Sequence, residues 1–200
     1  AESAVRTEER RLEGEEPVEF YYKLDNMYKP LTNYFAAPIE LDGKVWPTVE
    51  HYFNAMKFPG DPAYQEAIRT ANTPEAAKRL GMTKDRPMRP DWDLYRDSVM
   101  RNALRAKFEQ NPPLKELLLG TGNRTLIDVN PIDLYWGVGK NRKGENRLGK
   151  LLMELRAELR SVPAGAAGAA AAMATPLPKR TAVTVKPKSA ATAAAPARPL

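Results

Sequence analysis

A mainly α architecture is expected for this chain: a helical domain with a small β-hairpin element, followed by a low-complexity Ala/Pro-rich C-terminal tail. Three observations point there. Asp-Pro, Thr-Pro and Asn-Pro pairs recur in front of apolar stretches with helical spacing, and each pair suits a helix start. Strand-like runs are few and short. Residues 161–200 differ in composition from the rest: 15 of them are Ala, 6 are Pro and none is aromatic.

The elements follow in order. Phe20-Tyr21-Tyr22 reads as a short strand. Ile39, Leu41 and Val45 flank Asp42-Gly43, a two-residue hairpin turn between Pro38 and Trp46. Trp46-Pro47-Thr48 opens a helix with Val49, Tyr52, Phe53 and Met56 on one face. Asp61-Pro62 and Thr73-Pro74 open two more, and Gly81 is placed to end the second in the left-handed conformation. Pro90-Asp91 starts the longest helix, which runs to about Gln110 with a stripe of Trp92, Tyr95, Val99 and Ala103. Asn111-Pro112 starts a short one with Leu114, Leu117 and Leu118, closed by Gly120. Thr125 to Val129 reads as a strand. A last helix over about 145–160 carries Leu148, Leu151, Leu152, Leu155 and Leu159.

The 200 residues divide into a charged leader (1–19), a dense domain (20–160) and the tail (161–200). Every aromatic residue lies in the middle segment. The leader, with 7 acids and 3 bases, suits a charged helix or a solvated segment, and the tail, with 5 bases and no acid, buries too little to repay its ordering. The chain's net +6 is thus shared between tail and domain, a mild bias toward phosphate-bearing ligands. No basic run with interleaved aromatics suggests a nucleic-acid partner. No apolar run nears the ~20 residues of a membrane helix, so no membrane partner is expected. Zero Cys excludes disulfides, thiolate metal sites and a Cys nucleophile, and a single His excludes a His-rich metal centre. His51 is expected to be a packed or capping residue. An intracellular location is expected, with cytoplasmic, organellar and ciliary compartments not distinguished.

Glu50, Asn54 and Lys57 fall at i, i+4 and i+7 and share a second face of the helix after Trp46. Two placements fit: a solvated polar face, which spacing alone favours, or a cleft wall with an acid beside two donors. A second group of reactive residue types lies in Asp133-Leu134-Tyr135-Trp136-Gly137-Val138-Gly139. Here Gly137 and Gly139 allow close backbone approach to a ligand, and Trp136 offers a face for a planar base. The same run also fits an ordinary loop, and Trp92 fits the core as readily as a site. The run leads through Lys140, Arg142 and Lys143 to the start of the last helix, whose free N–H groups favour an anion.

Taken together, Leu31-Thr32-Asn33-Tyr34-Phe35, Trp46-Pro47-Thr48-Val49-Glu50-His51, Arg89-Pro90-Asp91-Trp92, Asp133-x-x-Trp136-Gly137-x-Gly139 and Gly144-x-Asn146-x-Leu148-Gly149-Lys150 resemble the NADAR, or YbiA-like, family in that order. The resemblance covers about residues 20–160. It implies a compact helical domain that hydrolyses an N-glycosidic bond, without metal or cofactor. The implied substrate is a phosphorylated, nucleoside-like small molecule: a ribosylamine of the riboflavin-pathway type or an ADP-ribose–base conjugate. By the same resemblance Glu50 and Asp133 match the acidic catalytic positions, with exchangeable roles. Trp92 and Trp136 would wall in the base, and Asn33, Lys57 and Asn146 match polar pocket positions. Trp46, Asn54, Gly137 and Gly139 complete the candidate substrate-binding set. The chain departs from the family pattern at Thr32, Tyr34, Phe35, Asn54 and Asp128. At the last of these Glu is usual, and Asp reaches ~1.5 Å less far.

A reading from another class is a non-catalytic subunit of a large assembly, such as a ribosome or ciliary complex, anchored through residues 161–200. The intact acidic pair favours the enzyme, and the low-complexity tail favours the subunit.

Overall fold

The structure is a computed structural model, and it describes residues 16–161. The expected leader falls almost wholly outside those residues, and so does the tail, apart from Ser161. Six α-helices are present among the described residues: α1 (Val49–Ala55), α2 (Pro62–Arg69), α3 (Pro74–Gly81), α4 (Trp92–Gln110), α5 (Pro112–Gly120) and α6 (Arg147–Ser161). Four three-residue strands accompany them: β1 (Val18–Phe20), β2 (Ile39–Leu41), β3 (Lys44–Trp46) and β4 (Leu126–Asp128). A 3-10 turn occupies Lys29–Leu31.

Local signals account for most boundaries. Asp42 (φ 54°) and Gly43 (φ 71°) both take positive φ, the requirement of a type I′ turn, and β2 pairs antiparallel with β3 around them. The Gln110 side chain locks this hairpin to the end of α4, accepting from Glu40 N–H at 2.7 Å and donating to Glu40 O at 3.0 Å. Thr48, Asp61 and Thr73 cap α1, α2 and α3, each accepting from a backbone N–H three residues on. Asp91 precedes α4 without such a cap, because its carboxylate pairs with Arg89 (2.7 and 3.1 Å). His51 is a packed residue, its ring bonded to Thr48 Oγ1 at 2.8 Å and Ala71 O at 3.0 Å.

Two expectations need correction. The first strand is Val18–Phe20, not Phe20–Tyr22: Val18 and Phe20 are both buried, and the strand pairs in parallel with β4 in the register Phe20↔Asp128. Tyr21 and Tyr22 leave the sheet. Gly81 does not take the left-handed conformation; it stays helical as the last residue of α3, and Met82 follows as the cap.

Helix α1 is the hub. Strand β3 leads into it, and α2, α3 and α4 pack around it, so all seven of its residues are buried. Helix α6 closes the other side, laying Leu148, Leu151, Leu152, Leu155 and Leu159 onto β4, α4 and α5. No helix among the described residues is long and apolar enough to cross a membrane.

Candidate active site

A cavity of about 220 Å³ opens beside α1. One wall comes from α1 itself. Glu50, Phe53 and Asn54 line it, and Lys57 follows just beyond the helix end. Glu50 is only 7% exposed, so the stripe is a cleft wall and not a solvated face. Its Oε1 accepts from Asn54 Nδ2 at 3.0 Å, and Lys57 Nζ donates to Asn54 Oδ1 at 2.8 Å. Asn54 therefore relays between ammonium and carboxylate. Burial raises the Glu50 carboxyl above its usual range, while Lys78, the Asn54 hydrogen bond and Lys57 act in the opposite direction. Lys57 is brought down to about 8 by burial, against the pull of Glu50.

The facing wall is the end of β4 and the segment that follows it. Asp128, Asn130, Asp133 and Trp136 line the cavity from it. The segment is held by its own backbone. Val138 N–H donates to Asp128 O (2.9 Å), Gly139 N–H to Asn130 O (3.1 Å), and Gly144 N–H to Val138 O (2.8 Å). Asp133 Oδ1 accepts from the N–H groups of Tyr135 and Trp136, at 3.0 and 2.7 Å, which fixes its carboxylate. Tyr135 OH donates to Asp97 on α4 at 2.6 Å and so ties the loop to that helix. Burial pushes the Asp128 carboxyl up to about 7.

Tyr21, Tyr22 and Tyr34 line the cavity as well. The Tyr22 and Tyr34 rings stack at 4.3 Å and 13°. Lys78 from α3 also borders it, with no carboxylate at ion-pair distance among the described residues. Asn33 lines the cavity too; its Oδ1 is buried with no hydrogen-bond partner, and its backbone O accepts from Glu50 N–H at 3.2 Å.

The structure thus brings Glu50, Asp133, Asn33, Asn54, Lys57 and Trp136 to one cavity. The other candidates stand behind it. Trp46 is a core residue, 1% exposed, with its indole N–H spent on Leu41 O at 3.1 Å. Trp92 packs edge-on against Phe53 (5.0 Å, 61°), and Phe53 in turn meets Trp136 (5.4 Å, 88°), so Trp92 backs the aromatic wall. Gly137 and Gly139 serve the loop's own packing instead of a ligand. A Cβ at Gly137 would lie 2.9 Å from Asp128 O, and one at Gly139 2.3 Å from a Leu134 methyl. Asn146 is a stitch: its side chain accepts from Asp128 N–H (3.0 Å) and donates to Leu126 O (2.8 Å).

Sequence reasoning passed over Tyr21, Tyr22, Tyr34, Phe53 and Lys78 as site residues and weighed Asp128 only as a departure from a pattern. The tyrosines carried a signal: after a buried Phe20, two consecutive large polar aromatics cannot both enter a core. Lys78 carried none, since a Lys in the last turn of a helix is ordinary.

Among the described residues, no three or more His, Asp or Glu side chains are grouped as metal ligands. The NADAR domain profile matches residues 19–160. N-glycosidase YbiA of Escherichia coli (strain K12) is 48% identical over 139 residues, 70% of this chain and 86% of that protein. The chloroplastic riboflavin biosynthesis protein PYRR of Zea mays is 37% identical over 161 residues, 73% of this chain but 26% of that protein. The NMR structure of E. coli YbiA superposes with a TM-score of 0.67 at 45% identity, covering 73% of this chain and 86% of that one.

Proposed function

The chain belongs to the NADAR family, and from that membership we infer that it is an N-glycosidase, acting on the C1′–N bond of a phosphorylated ribosylamine. The name of the E. coli relative supports the bond class, and the name of the maize relative supports a riboflavin-related ribosylamine.

The observation that carries the reading is Glu50, a buried carboxylate on a cavity wall, supported through Asn54 by Lys57. Breaking C1′–N places positive charge on the ribose ring, and a fixed carboxylate in a poorly hydrated site stabilises that charge. The same carboxylate takes a proton from the attacking water as its oxygen bonds to C1′. Asp133, anchored by two backbone amides, adds negative charge on the opposite side. Lys78 meets the substrate phosphate. The unpartnered Asn33 Oδ1 accepts from a ribose hydroxyl or base N–H, because a buried acceptor left alone is costly and a ligand donor relieves it. Phe53 and Trp136 present apolar faces to the departing base.

The test is product release. The purified protein is incubated with a pyrimidine ribosylamine 5′-phosphate and, separately, with ADP-ribosylated guanosine, beside Glu50→Gln. The expected result is ribose 5-phosphate from the first substrate, lost in the variant. A folded protein that turns over neither substrate overturns the reading.

A further inference from the structure

A ribosylamine nitrogen is a poor leaving group until it gains a proton, and Glu50, acting as the base, does not supply it. Two buried carboxyls border the cavity, and their surroundings differ. Burial, with Asp133, raises the Glu50 carboxyl, and against it stand an accepted amide hydrogen bond and two cations, Lys78 and Lys57, which favour the charged form. Asp128 has less support. Its Oδ1 accepts from the Asn130 N–H of its own turn at 3.1 Å. Of the groups facing it, Tyr21 beyond β1 offers no positive charge, Asp133 in the loop opposes ionisation, and Lys78 on α3 is the cation that favours it. Burial outweighs that cation and leaves the carboxyl near neutrality, the condition for an acid that works at physiological pH.

The position of Asp128 is also well determined. Its backbone N–H donates to Asn146 Oδ1 at 3.0 Å and its carbonyl accepts from Val138 N–H at 2.9 Å. The main chain is therefore held from both sides while the side chain borders the cavity.

We propose that Asp128 is the general acid of this site, giving its proton to the ribosyl nitrogen as the C1′–N bond breaks. The bonding pair goes to nitrogen, which leaves as a free amine. Water oxygen bonds to C1′, and the proton it loses goes to the Glu50 carboxylate. Return of that proton to solvent and reprotonation of Asp128 complete the cycle. This assignment rests on the N-glycosidase reading.

The experiment compares the parent, Asp128→Asn and Asp128→Glu on two substrates. One is a ribosylamine 5′-phosphate, whose nitrogen needs a proton to leave. The other is nicotinamide riboside 5′-phosphate, whose ring nitrogen is already cationic and leaves without one. Asn keeps an acceptor for the Asn130 N–H, so the fold is expected to persist. Asp128→Asn should lose ~100-fold or more on the amine substrate, with a loss at least ~10-fold smaller on the pyridinium, and Asp128→Glu should recover part of the rate. The parent's kcat/KM on the amine substrate should fall as pH rises through about 7, a limb absent in Asp128→Asn. Parent-like rates in Asp128→Asn, equal losses on both substrates, or survival of that limb would overturn the assignment. If only the amine substrate is cleaved, the pH profile alone decides. A parent that cleaves neither substrate refutes the N-glycosidase reading, and the acid with it.

Discussion

Gly81 at the end of α3 sits so close to Asn54 on α1 that a Cβ there would lie 2.1 Å from Asn54 Oδ1. The Lys57 ammonium joins the two, donating to Asn54 Oδ1 at 2.8 Å and to Gly81 O at 3.2 Å. The support of Glu50 therefore depends on a residue in another helix that has no side chain at all.

Gly81→Ala should displace Asn54 and cut the link from Lys57 to Glu50. We expect a stability loss of about 1–3 kcal/mol from overpacking, together with a fall in kcat. Urea denaturation and steady-state kinetics read the two effects. A parent-like midpoint would mean that Asn54 swings aside without cost.

Glu50→Gln should separate activity from stability. Gln keeps an acceptor for Asn54 Nδ2, so folding is retained, while turnover should drop by ~10²–10⁴ with the loss of the base. Because burial raises the Glu50 carboxyl above its unfolded value, its ionisation costs stability at neutral pH. The variant should therefore melt no lower than the parent at pH 7.5. A clearly lower melting temperature would count against this account of Glu50.

Lys107 should leave a signature in stability against pH. It is 0% exposed, donates to Pro30 O at 2.6 Å and Thr32 O at 2.7 Å, and is lowered by burial to about 7. Its folded value lies below its unfolded one, so from about pH 7 up to ~10.4 the unfolded chain holds the extra proton. The contribution to stability thus rises with pH across that window and is lost as pH falls through about 7. Lys107→Met should flatten this slope and, by stranding two carbonyls, cost about 1–3 kcal/mol at pH 9. Denaturant titrations from pH 6 to pH 10 compare the slopes, and equal slopes would refute the assignment.

Trp136→Ala should act mainly on KM. Its ring meets Phe53 at 5.4 Å on the cavity wall, and losing that face should weaken substrate binding ~10-fold. Trp136→Phe should keep most of it. A change confined to kcat would mean that the ring orients the reacting atoms and does not hold the base.

Much of this molecule was legible in the chain. The Asp42-Gly43 turn, the caps at Asp61 and Thr73, and the leucine stripe of α6 are written in neighbouring residues. The start of β1 was misread by two residues because three consecutive aromatics mask where alternation stops. What decides it is pairing with Leu126–Asp128, more than a hundred residues away. Gly81 was misread for a similar reason: its use is a contact with Asn54, and helix-end statistics do not contain that contact.

The sequence by itself determined the helical architecture, the family and the line formed by Glu50, Asn54 and Lys57. These rest on interactions within a few residues and on motif order. Only the tertiary structure decided that this line faces a cavity instead of water, that Trp46, Trp92 and Asn146 stand behind the site, and that Asp128, Tyr21, Tyr22 and Lys78 border it. Helical periodicity says which side chains share a face, but not what covers that face. Here the cover comes from α3 and the 128–136 segment, and the desolvation they impose is what sets the chemistry of the carboxyls.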